Sequence, residues 1–244
     1  PVYGLQSPGL EDDSPPLTTI ENMAAQYMGV VTDVHNGGPI HLLGWSFGGV
    51  VAYEMARQLN NKGYRVGTLT LIDSFIPLQH KYPVFKKSTD DSTLMGYLVE
   101  HLEGMFGKPL RVSRSQLQKL GPEEQLRYVL KCAIAAEVLP ASFQLDQMQH
   151  FYAVYKANHL AFCRYRPQPY EGDITLFCPQ KQLFMLSRAN TQAWKKLAGG
   201  GVNVFPIPGD HYTMMQGESS AMIARHVKDN INDSNRSILP GGHA

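Results

Sequence analysis

The sequence predicts an α/β protein with a mostly parallel sheet, helices that flank it, and a helical insertion between two of its strands. Short apolar runs at 40–43, 65–73 and 173–179 alternate with segments of helical periodicity, which is typical of strand-helix-strand units. Residues 79–170 interrupt the alternation, because they contain several helical stretches and no clear strand. With 244 residues, 43% of them hydrophobic, the chain holds enough apolar material for one sizeable core.

The first elements are a short strand, a helix and a second strand. Residues 2–5 are apolar and predict the first strand, and the turn-rich segment 7–16 follows it. From Leu17 onward the apolar residues fall at helical spacing, until a Gly-Gly-Pro sequence ends the helix. The apolar run 40–43 then predicts a buried strand.

The remaining elements repeat this pattern on either side of the insertion. A helix with apolar residues from Val50 to Leu59 leads into the strand 65–73, which is rich in strand-favouring residues. The insertion contains three main helical stretches, at 92–106, 122–139 and 145–165. The elements expected after it are a strand at 173–179, a helix near 187–198, a strand within 202–212 and a final helix near 217–231.

The pattern predicts one domain with a lid and a tail. We expect the domain to span 1–231, with an α/β core at 1–78 and 171–231 and a helical lid insertion at 79–170. The last residues, 232–244, have the composition of a flexible C-terminal tail. Apolar residues in the lid repeat at helical spacing, as expected for packing between its helices.

Composition argues against several classes of partner. The net charge of +1 gives no basis for binding nucleic acid or an anionic membrane. No apolar run approaches the roughly 18 residues of a spanning helix, and the first residues lack a secretory signal pattern. The three cysteines, Cys132, Cys163 and Cys178, suit buried thiols in a reducing compartment. We therefore expect a cytoplasmic protein. We also expect an excised domain of this kind to be monomeric and to bind no metal and no cofactor of its own.

A serine between glycines stands where the strand 40–43 gives way to a helix. Residues Gly44 to Gly48 read Gly-Trp-Ser-Phe-Gly, and this G-x-S-x-G pattern between a strand and a helix predicts a nucleophile elbow. The strained turn holds the hydroxyl of Ser46 free to react. The backbone N–H of Phe47, at the N-terminus of the helix, is then the expected oxyanion donor. An inert tight turn is the alternative interpretation.

A nucleophilic serine requires a histidine base, and nine histidines compete for that role. Active-site groups of such sheets lie at the carboxyl ends of the strands, in the chain order Ser, acid, His. His211 meets both conditions, in the loop PGDHYTMM after a late strand. The other histidines precede Ser46 or lie in a strand, the insertion, the last helix or the tail: His35, His41, His80, His101, His150, His159, His226 and His243.

The acid follows by elimination. No Asp or Glu occurs between Asp173 and Asp210, which excludes the position after the strand that follows the insertion. Asp173 begins its strand, at the wrong end of the sheet, and Asp210 is the sequence neighbour of His211. Asp73 remains, at the carboxyl end of LTLID, one strand after the nucleophile. A helix or turn cap is the alternative role for Asp73.

At GWSFGG, LTLIDSF and GDHYTMM the sequence resembles the type I thioesterase domains that end nonribosomal peptide synthetases, members of the α/β-hydrolase superfamily. PVYGLQSPGL and CRYRPQPYEGDITLF are similar to that family as well. The resemblance implies Ser46, Asp73 and His211 as a catalytic triad, and 79–170 as a lid over an acyl channel. It also implies a substrate delivered as a thioester on the 4'-phosphopantetheine arm of an upstream peptidyl carrier domain, and release by hydrolysis or macrocyclisation.

The N-terminal segment departs from the family pattern. Family members have a strand, a glycine-rich loop and a helix before the segment PVYGLQ, and the loop supplies the second oxyanion N–H. The sequence starts at Pro1, so we expect these N-terminal strands and the second donor to lie upstream of it. The strand in question normally lies between those that correspond to 2–5 and 40–43, so we expect these two segments not to pair.

Three other functions fit parts of the same pattern. A stand-alone editing thioesterase and a carboxylesterase or lipase share the fold and the triad, and activity on a carrier-bound thioester or on a free ester separates them. The start at Pro1 and the large insertion favour a terminal domain. A catalytically inactive binding module with this fold is the alternative of another class, and the intact Ser-Asp-His order argues against it.

Overall fold

The computed structural model describes three stretches of the chain, residues 1–76, 90–181 and 184–236, with the side chains of 184–187 left out. Cysteines in these stretches are thiols, with Cys163 and Cys178 buried and Cys132 half-buried. No helix in the described stretches is long and apolar enough to cross a membrane.

The described residues form two compact units. The helical unit comprises Pro1–Thr19 and Leu78–Tyr165, as far as these residues are described. The sheet unit comprises, in the same sense, Ile20–Pro77 and Arg166–Ala244. Each unit has its own apolar core, and each is described by itself below.

The sheet unit is built on parallel strands whose spatial order is their order along the chain. Within the described residues the strands are β1 (Ile40–Trp45), β2 (Val66–Ile72), β3 (Asp173–Pro179) and β4 (Gly201–Ile207). The apolar runs therefore predicted the parallel sheet correctly. Strand β4 ends at Ile207, well before the end of the expected segment 202–212, because the chain bends after Ile207 and Gly209 adopts a φ of 105°.

Four helices in the described part of this unit flank the sheet: α1 (Ile20–Asp33), α2 (Phe47–Asn61), α7 (Phe184–Leu197) and α8 (Gly217–Arg236). Helix α2 packs against β1 and β2, with α1 beside it. Helix α7 contacts β4, and α8 contacts β2 and β4. Helix α8 continues beyond the predicted limit at 231, and residues 237–244 of the predicted tail lie outside the described part.

Side chains alternate between the two faces of the sheet, and both faces are buried. Ile72 and Phe177 form a buried cluster on one face with Ile223 of α8. The alternate residues Leu71 and Leu176 are register partners on the other face and are fully buried. Burial on both faces explains why these strands read as continuous apolar runs in the sequence.

Helix α2 contains a buried carboxylate that is fully partnered. Glu54 is only 1% exposed. The Arg57 guanidinium donates to its two oxygens at 2.9 and 2.6 Å, and the Gln58 amide donates at 2.8 Å. The Gln58 amide also donates to the Glu21 carbonyl at 3.0 Å, which links α2 to α1. These bonds offset the cost of burying the charge and hold α1 beside α2.

The helical unit contains α3 (Asp91–Phe106), α4 (Arg114–Leu117), α5 (Pro122–Ala135) and α6 (Leu145–Arg164) among its described residues. Leu94 and Leu98 of α3 are fully buried, in one cluster with Val129 of α5 and Met148 of α6. The helical spacing of apolar residues in this insertion therefore reflects packing between its helices. The short helix α4 has no counterpart among the predicted elements.

The start of α3 is fixed by two acidic residues with different roles. The Asp90 carboxylate caps the helix by accepting the Thr93 N–H at 2.9 Å. The Asp91 carboxylate accepts from Lys156 at 2.6 Å and from the Tyr152 hydroxyl at 3.0 Å, both on α6. These bonds lower the pKa of Asp91, with the Lys156 hydrogen bond as the main cause.

Two further expectations from the sequence are wrong. Residues 2–5 form no strand, and Val2 is 99% exposed. A strand is stabilised by hydrogen bonds to a neighbour, and no described strand lies beside this segment. The helix predicted for 122–139 ends at Ala135, since Glu137 adopts a left-handed φ of 53° that a helix does not allow.

Candidate active site

Ser46 occupies the turn between β1 and α2. Its backbone has φ 54° and ψ −122°, a conformation that costs a non-glycine residue about 1–3 kcal/mol. The Ser46 N–H donates to the Ile72 carbonyl of β2 at 2.8 Å, and the Ser46 carbonyl accepts from the Gly49 N–H at 3.1 Å. The neighbouring strand and the first turn of α2 thus hold the half-buried serine in its strained conformation.

Two glycines allow β1, α2 and the loop after β2 to approach each other closely. A Cβ on Gly44 would collide with the backbone of Gly48, and a Cβ on Gly49 would collide with the side chain of Ser74. A Cβ on Gly48 would meet open space, so no steric contact requires a glycine at that position. The close approach explains why small residues flank the serine.

Asp73 follows β2 and lies at the same edge of the sheet as Ser46. Trp45 of β1 and Ile72 of β2 are register partners. Ser46 directly follows Trp45 and Asp73 directly follows Ile72, so both residues lie at the same level of the sheet. The Asp73 N–H donates to the Phe177 carbonyl of β3 at 2.8 Å. Asp73 has a positive φ of 42°, and its side chain is only 1% exposed. A carboxylate is therefore held at the carboxyl ends of the strands, out of bulk water.

Two buried donors of α7 fix the backbone that follows Asp73. The carbonyl of Ser74 accepts from the Asn190 amide at 2.8 Å and from the Trp194 indole N–H at 2.9 Å. The Asn190 side-chain oxygen in turn accepts the Ile76 N–H at 3.3 Å. Asn190 is 3% exposed and Trp194 is 0% exposed, so these bonds form away from competing water.

His211 lies in the loop after β4, and its imidazole meets the carboxylate of Asp73. The distance from His211 Nδ1 to Asp73 Oδ2 is 2.6 Å. An ionised carboxylate only accepts hydrogen bonds, so Nδ1 is assigned the hydrogen and donates it. In the neutral ring Nε2 then keeps its lone pair and is able to accept a proton. The imidazole side chain is 26% exposed, which leaves it accessible from solvent.

Asp210 shapes the loop of His211. Its carboxylate accepts the Tyr212 N–H at 3.1 Å and the Thr213 N–H at 2.9 Å, at the start of the 3-10 turn Thr213–Met215. The Thr213 backbone hydrogen bond is the main cause that lowers the pKa of Asp210. Asp210 therefore organises the turn, whereas the imidazole is paired with Asp73.

The predicted residues all lie at one edge of the sheet, but only some of them are in direct contact. Asp73 and His211 are joined directly, and the Trp45 ring stacks on the imidazole with a centroid distance of 5.0 Å. Ser46 follows Trp45 in the chain, and Phe47 begins α2. Among the hydrogen bonds of the described residues, none joins Ser46 to His211.

The sequence did not predict the contacts that three residues make in this arrangement: Trp45, Asn190 and Trp194. Trp45 lies inside the serine motif and is one of two tryptophans in the chain, which was the available signal. Asn190 and Trp194 lie on a helix remote in sequence from Asp73, and no local pattern connects them to the site.

The other described histidines have different environments. Burial lowers the pKa of His41, whose Nδ1 lies 3.1 Å from Thr68 Oγ1, and burial also lowers the pKa of His159. His150 pairs with Asp13 at 3.3 Å, but that carboxylate is fully exposed at the surface. His211 differs by having a buried carboxylate partner at a strand end. Two histidines lie outside the described residues, His80 and His243.

Comparison with known proteins gives the family. The model of the thioesterase domain family matches residues 1–231. Two relatives are Malpibaldin synthetase of Mortierella alpina, 26% identical over 236 residues, and the Dimodular nonribosomal peptide synthase of Bacillus subtilis (strain 168), 25% identical over 242 residues. The matches cover 96% and 97% of this chain but only 4% and 9% of those proteins. The chain thus spans less than a tenth of their length.

Solved structures agree with this family. The four-domain nonribosomal peptide synthetase holo-AB3403, bound to AMP and glycine, is 30% identical with a TM-score of 0.82, over 92% of this chain and 17% of that one. The Vlm2 thioesterase domain is 23% identical with a TM-score of 0.61, over 91% of this chain and 80% of that one, and shows the shared fold. These matches confirm the predicted parallel sheet flanked by helices. The chain belongs to the thioesterase domain family.

Proposed function

We propose that this chain is a chain-terminating thioesterase, which transfers a peptidyl or other acyl chain from a carrier thioester to Ser46 and then releases it. One observation supports the site above all others. The His211 Nδ1 to Asp73 Oδ2 hydrogen bond of 2.6 Å forms at the sheet edge where Ser46 follows β1 with a φ of 54°. Fold alone does not establish function, so the proposal depends on this geometry.

The proposed roles follow from the chemistry of each group. Asp73 fixes the imidazole tautomer and stabilises the imidazolium that forms during the reaction. His211 Nε2 acts as the general base toward the Ser46 hydroxyl. Hydrogen bonds of this kind often tighten only once substrate is bound, so the Ser46 to His211 bond belongs to the substrate complex.

The first half-reaction forms an acyl-enzyme. Ser46 Oγ attacks the thioester carbonyl carbon while His211 takes the hydroxyl proton. The Phe47 N–H stabilises the oxyanion. The C–S bond then breaks, and His211 returns the proton to the departing sulfur. The products are an ester on Ser46 and the free thiol of the carrier arm.

The second half-reaction releases the chain. His211 removes a proton from water or from a nucleophile within the acyl chain, and the resulting oxygen or nitrogen attacks the Ser46 ester carbonyl. The C–O bond to Ser46 breaks, and His211 returns the proton to Oγ. Water gives a linear acid by hydrolysis, whereas an internal nucleophile gives a ring by macrocyclisation.

We also propose the setting of the reaction. An upstream peptidyl carrier domain presents the substrate on its 4'-phosphopantetheine arm, so this chain needs no cofactor or metal of its own. The insertion 79–170 serves as the lid, and the domain acts as a monomer in the cytoplasm. The two relatives, a synthetase and a dimodular nonribosomal peptide synthase of which this chain matches only 4% and 9%, support a multidomain context.

A serine-directed fluorophosphonate tests the nucleophile in the folded protein. We expect stoichiometric labelling that peptide mapping places on Ser46. The Ser46→Ala variant should take up no label, and the matched Ser220→Ala variant in the same unit should label normally. A folded protein that takes up no label would instead support the inactive binding module.

Substrate comparison separates the chain-terminating function from the alternatives. We expect kcat/KM to be higher for a long peptidyl thioester than for an acetyl thioester or for the oxygen ester of the same peptide. A preference for the acetyl thioester would favour an editing thioesterase. A preference for the oxygen ester would favour a carboxylesterase.

A further inference from the structure

The side chain of Trp45 contacts His211 in two independent ways. The indole and imidazole rings stack with centroids 5.0 Å apart and planes inclined by 27°. The indole N–H also donates to the backbone carbonyl of His211 at 3.2 Å. Tyr212 closes the arrangement, because its ring meets the indole edge-on at 6.1 Å and the imidazole edge-on at 4.9 Å.

Trp45 is itself anchored on the sheet. It ends β1 and is the register partner of Ile72. Its ring packs against the buried cluster that contains Ile72, Phe177 and Met214. The platform under the imidazole is therefore part of the sheet core, whereas His211 sits in a loop.

The Asp73 hydrogen bond alone leaves the imidazole a degree of freedom. A single Nδ1–H donor fixes one atom of the ring but allows the ring plane to tilt about that bond. The stack on Trp45 fixes the plane, and the indole N–H fixes the backbone that carries the imidazole. Since Trp45 directly precedes Ser46, the same strand end positions both the nucleophile and the base.

We propose that Trp45 is a positioning residue for His211, which sets the plane and the backbone position of the imidazole relative to Ser46. This inference rests on the proposed function in which His211 is the general base. The indole does not touch the reacting atoms. It acts through the histidine and keeps Nε2 aimed at the Ser46 hydroxyl, which matters because small misplacements of catalytic groups lower rates strongly.

Two substitutions separate the contributions of Trp45. Trp45→Phe keeps an aromatic face and removes the indole N–H, so kcat should fall about 2- to 10-fold, the size of one hydrogen bond. Trp45→Leu removes both contacts, and kcat should fall about 10- to 100-fold. KM should change little in both variants, because the proposed effect of Trp45 acts on the base and not on the bound substrate. Phe205→Leu, in the same apolar cluster, is the matched control and should keep kcat within about 2-fold.

Tryptophan fluorescence reports on the stack itself. An imidazole in contact with an indole quenches part of its emission, so emission at a fixed pH should be higher in His211→Ala than in the parent protein. The other tryptophan, Trp194, has a tyrosine as its described ring neighbour. The rise should also appear when His211→Ala is introduced into Ser46→Ala, and it should disappear when His211→Ala is introduced into Trp45→Phe.

The outcomes distinguish the two proposals. Equal emission from His211→Ala and the parent protein, or equal kcat values for Trp45→Leu and Phe205→Leu, would overturn the positioning role. Full thioesterase turnover by Ser46→Ala and His211→Ala would overturn the proposed function instead, and the fluorescence comparison would still test the stack. If Trp45→Leu fails to fold, Trp45→Phe and His211→Ala decide the question.

Discussion

His211 Nδ1 lies 2.6 Å from Asp73 Oδ2, although the two residues are 138 positions apart in the sequence. Asp73 follows β2 and His211 lies in the loop after β4, so both residues lie at the same edge of the sheet. Strand β3 lies between these two strands. The carboxylate is 1% exposed and the imidazole 26% exposed, so the pair has a buried acid and an accessible base. This asymmetry suits a base that receives a proton from a substrate-facing hydroxyl.

Asp73→Asn should lower kcat by roughly 10³- to 10⁴-fold, because an amide at this position no longer selects the tautomer with the hydrogen on Nδ1. The measurement is single-turnover acylation by a peptidyl thioester. The matched Asp210→Asn variant alters the histidine loop without touching the imidazole partner and should lose far less. Equal losses in the two variants would contradict the assignment of Asp73 as the acid.

Asn190→Leu should lower both stability and activity, because the Asn190 side chain holds the backbone that follows Asp73. It leaves the Ile76 N–H unpartnered and removes a buried donor to the Ser74 carbonyl, so the free energy of unfolding should fall by about 1–3 kcal/mol. The positive φ of Asp73 then loses part of its support, and kcat should fall as well. Urea unfolding and turnover measure the two effects.

Gln192→Ala is the control for this prediction, since Gln192 is an exposed residue on the same helix. Its unfolding free energy and its kcat should match those of the parent protein. An Asn190→Leu variant with unchanged stability would show that the two donors do not fix the backbone that follows Asp73.

Arg57→Met should destabilise the sheet unit by about 3 kcal/mol, because it leaves the buried Glu54 carboxylate without its cationic partner. Thermal or urea unfolding measures the loss. The double variant Glu54→Gln/Arg57→Met also removes the carboxylate charge, so it should recover part of the lost unfolding free energy. A single variant as stable as the parent protein would contradict the stabilising role of the Arg57–Glu54 pair.

Lys156→Met should change how the helical unit depends on pH. The pKa of Asp91 is lowered from its ordinary value of 3.8, so the unfolded chain binds this proton more readily than the folded chain. The stabilisation is therefore fully present above about pH 4 and is lost as the pH falls through the lowered pKa. Lys156→Met should be less stable than the parent at pH 6, and the difference should shrink toward pH 2. A pH-independent difference would contradict the ion pair as its source.

The sequence predicted much of the architecture because parallel strands buried on both faces leave continuous apolar runs. The position of Asp73 at a strand end and of His211 after a late strand followed from the same reasoning. The strand expected at 2–5 failed for a physical reason, since apolar composition does not form a strand without a hydrogen-bonded neighbour.

Other features of the site depend on contacts between distant segments. The positive φ of Asp73 is stabilised by donors from Asn190 and Trp194, more than a hundred positions away. The stack of Trp45 on His211 likewise arises only when β1 and the loop after β4 meet. Local patterns contain no information on such contacts, so these residues emerged from the structure alone.

Trapping of the acyl-enzyme tests the central claim most directly. The folded protein is mixed with a synthetic peptidyl thioester, quenched with acid within the first turnover, and measured by intact-protein mass spectrometry and peptide mapping. We predict a mass increase equal to the acyl group, located on Ser46, that accumulates rapidly in the parent protein, slowly in Asp73→Asn and not at all in Ser46→Ala. Acylation at another residue, or undiminished thiol release by Ser46→Ala, would contradict the account.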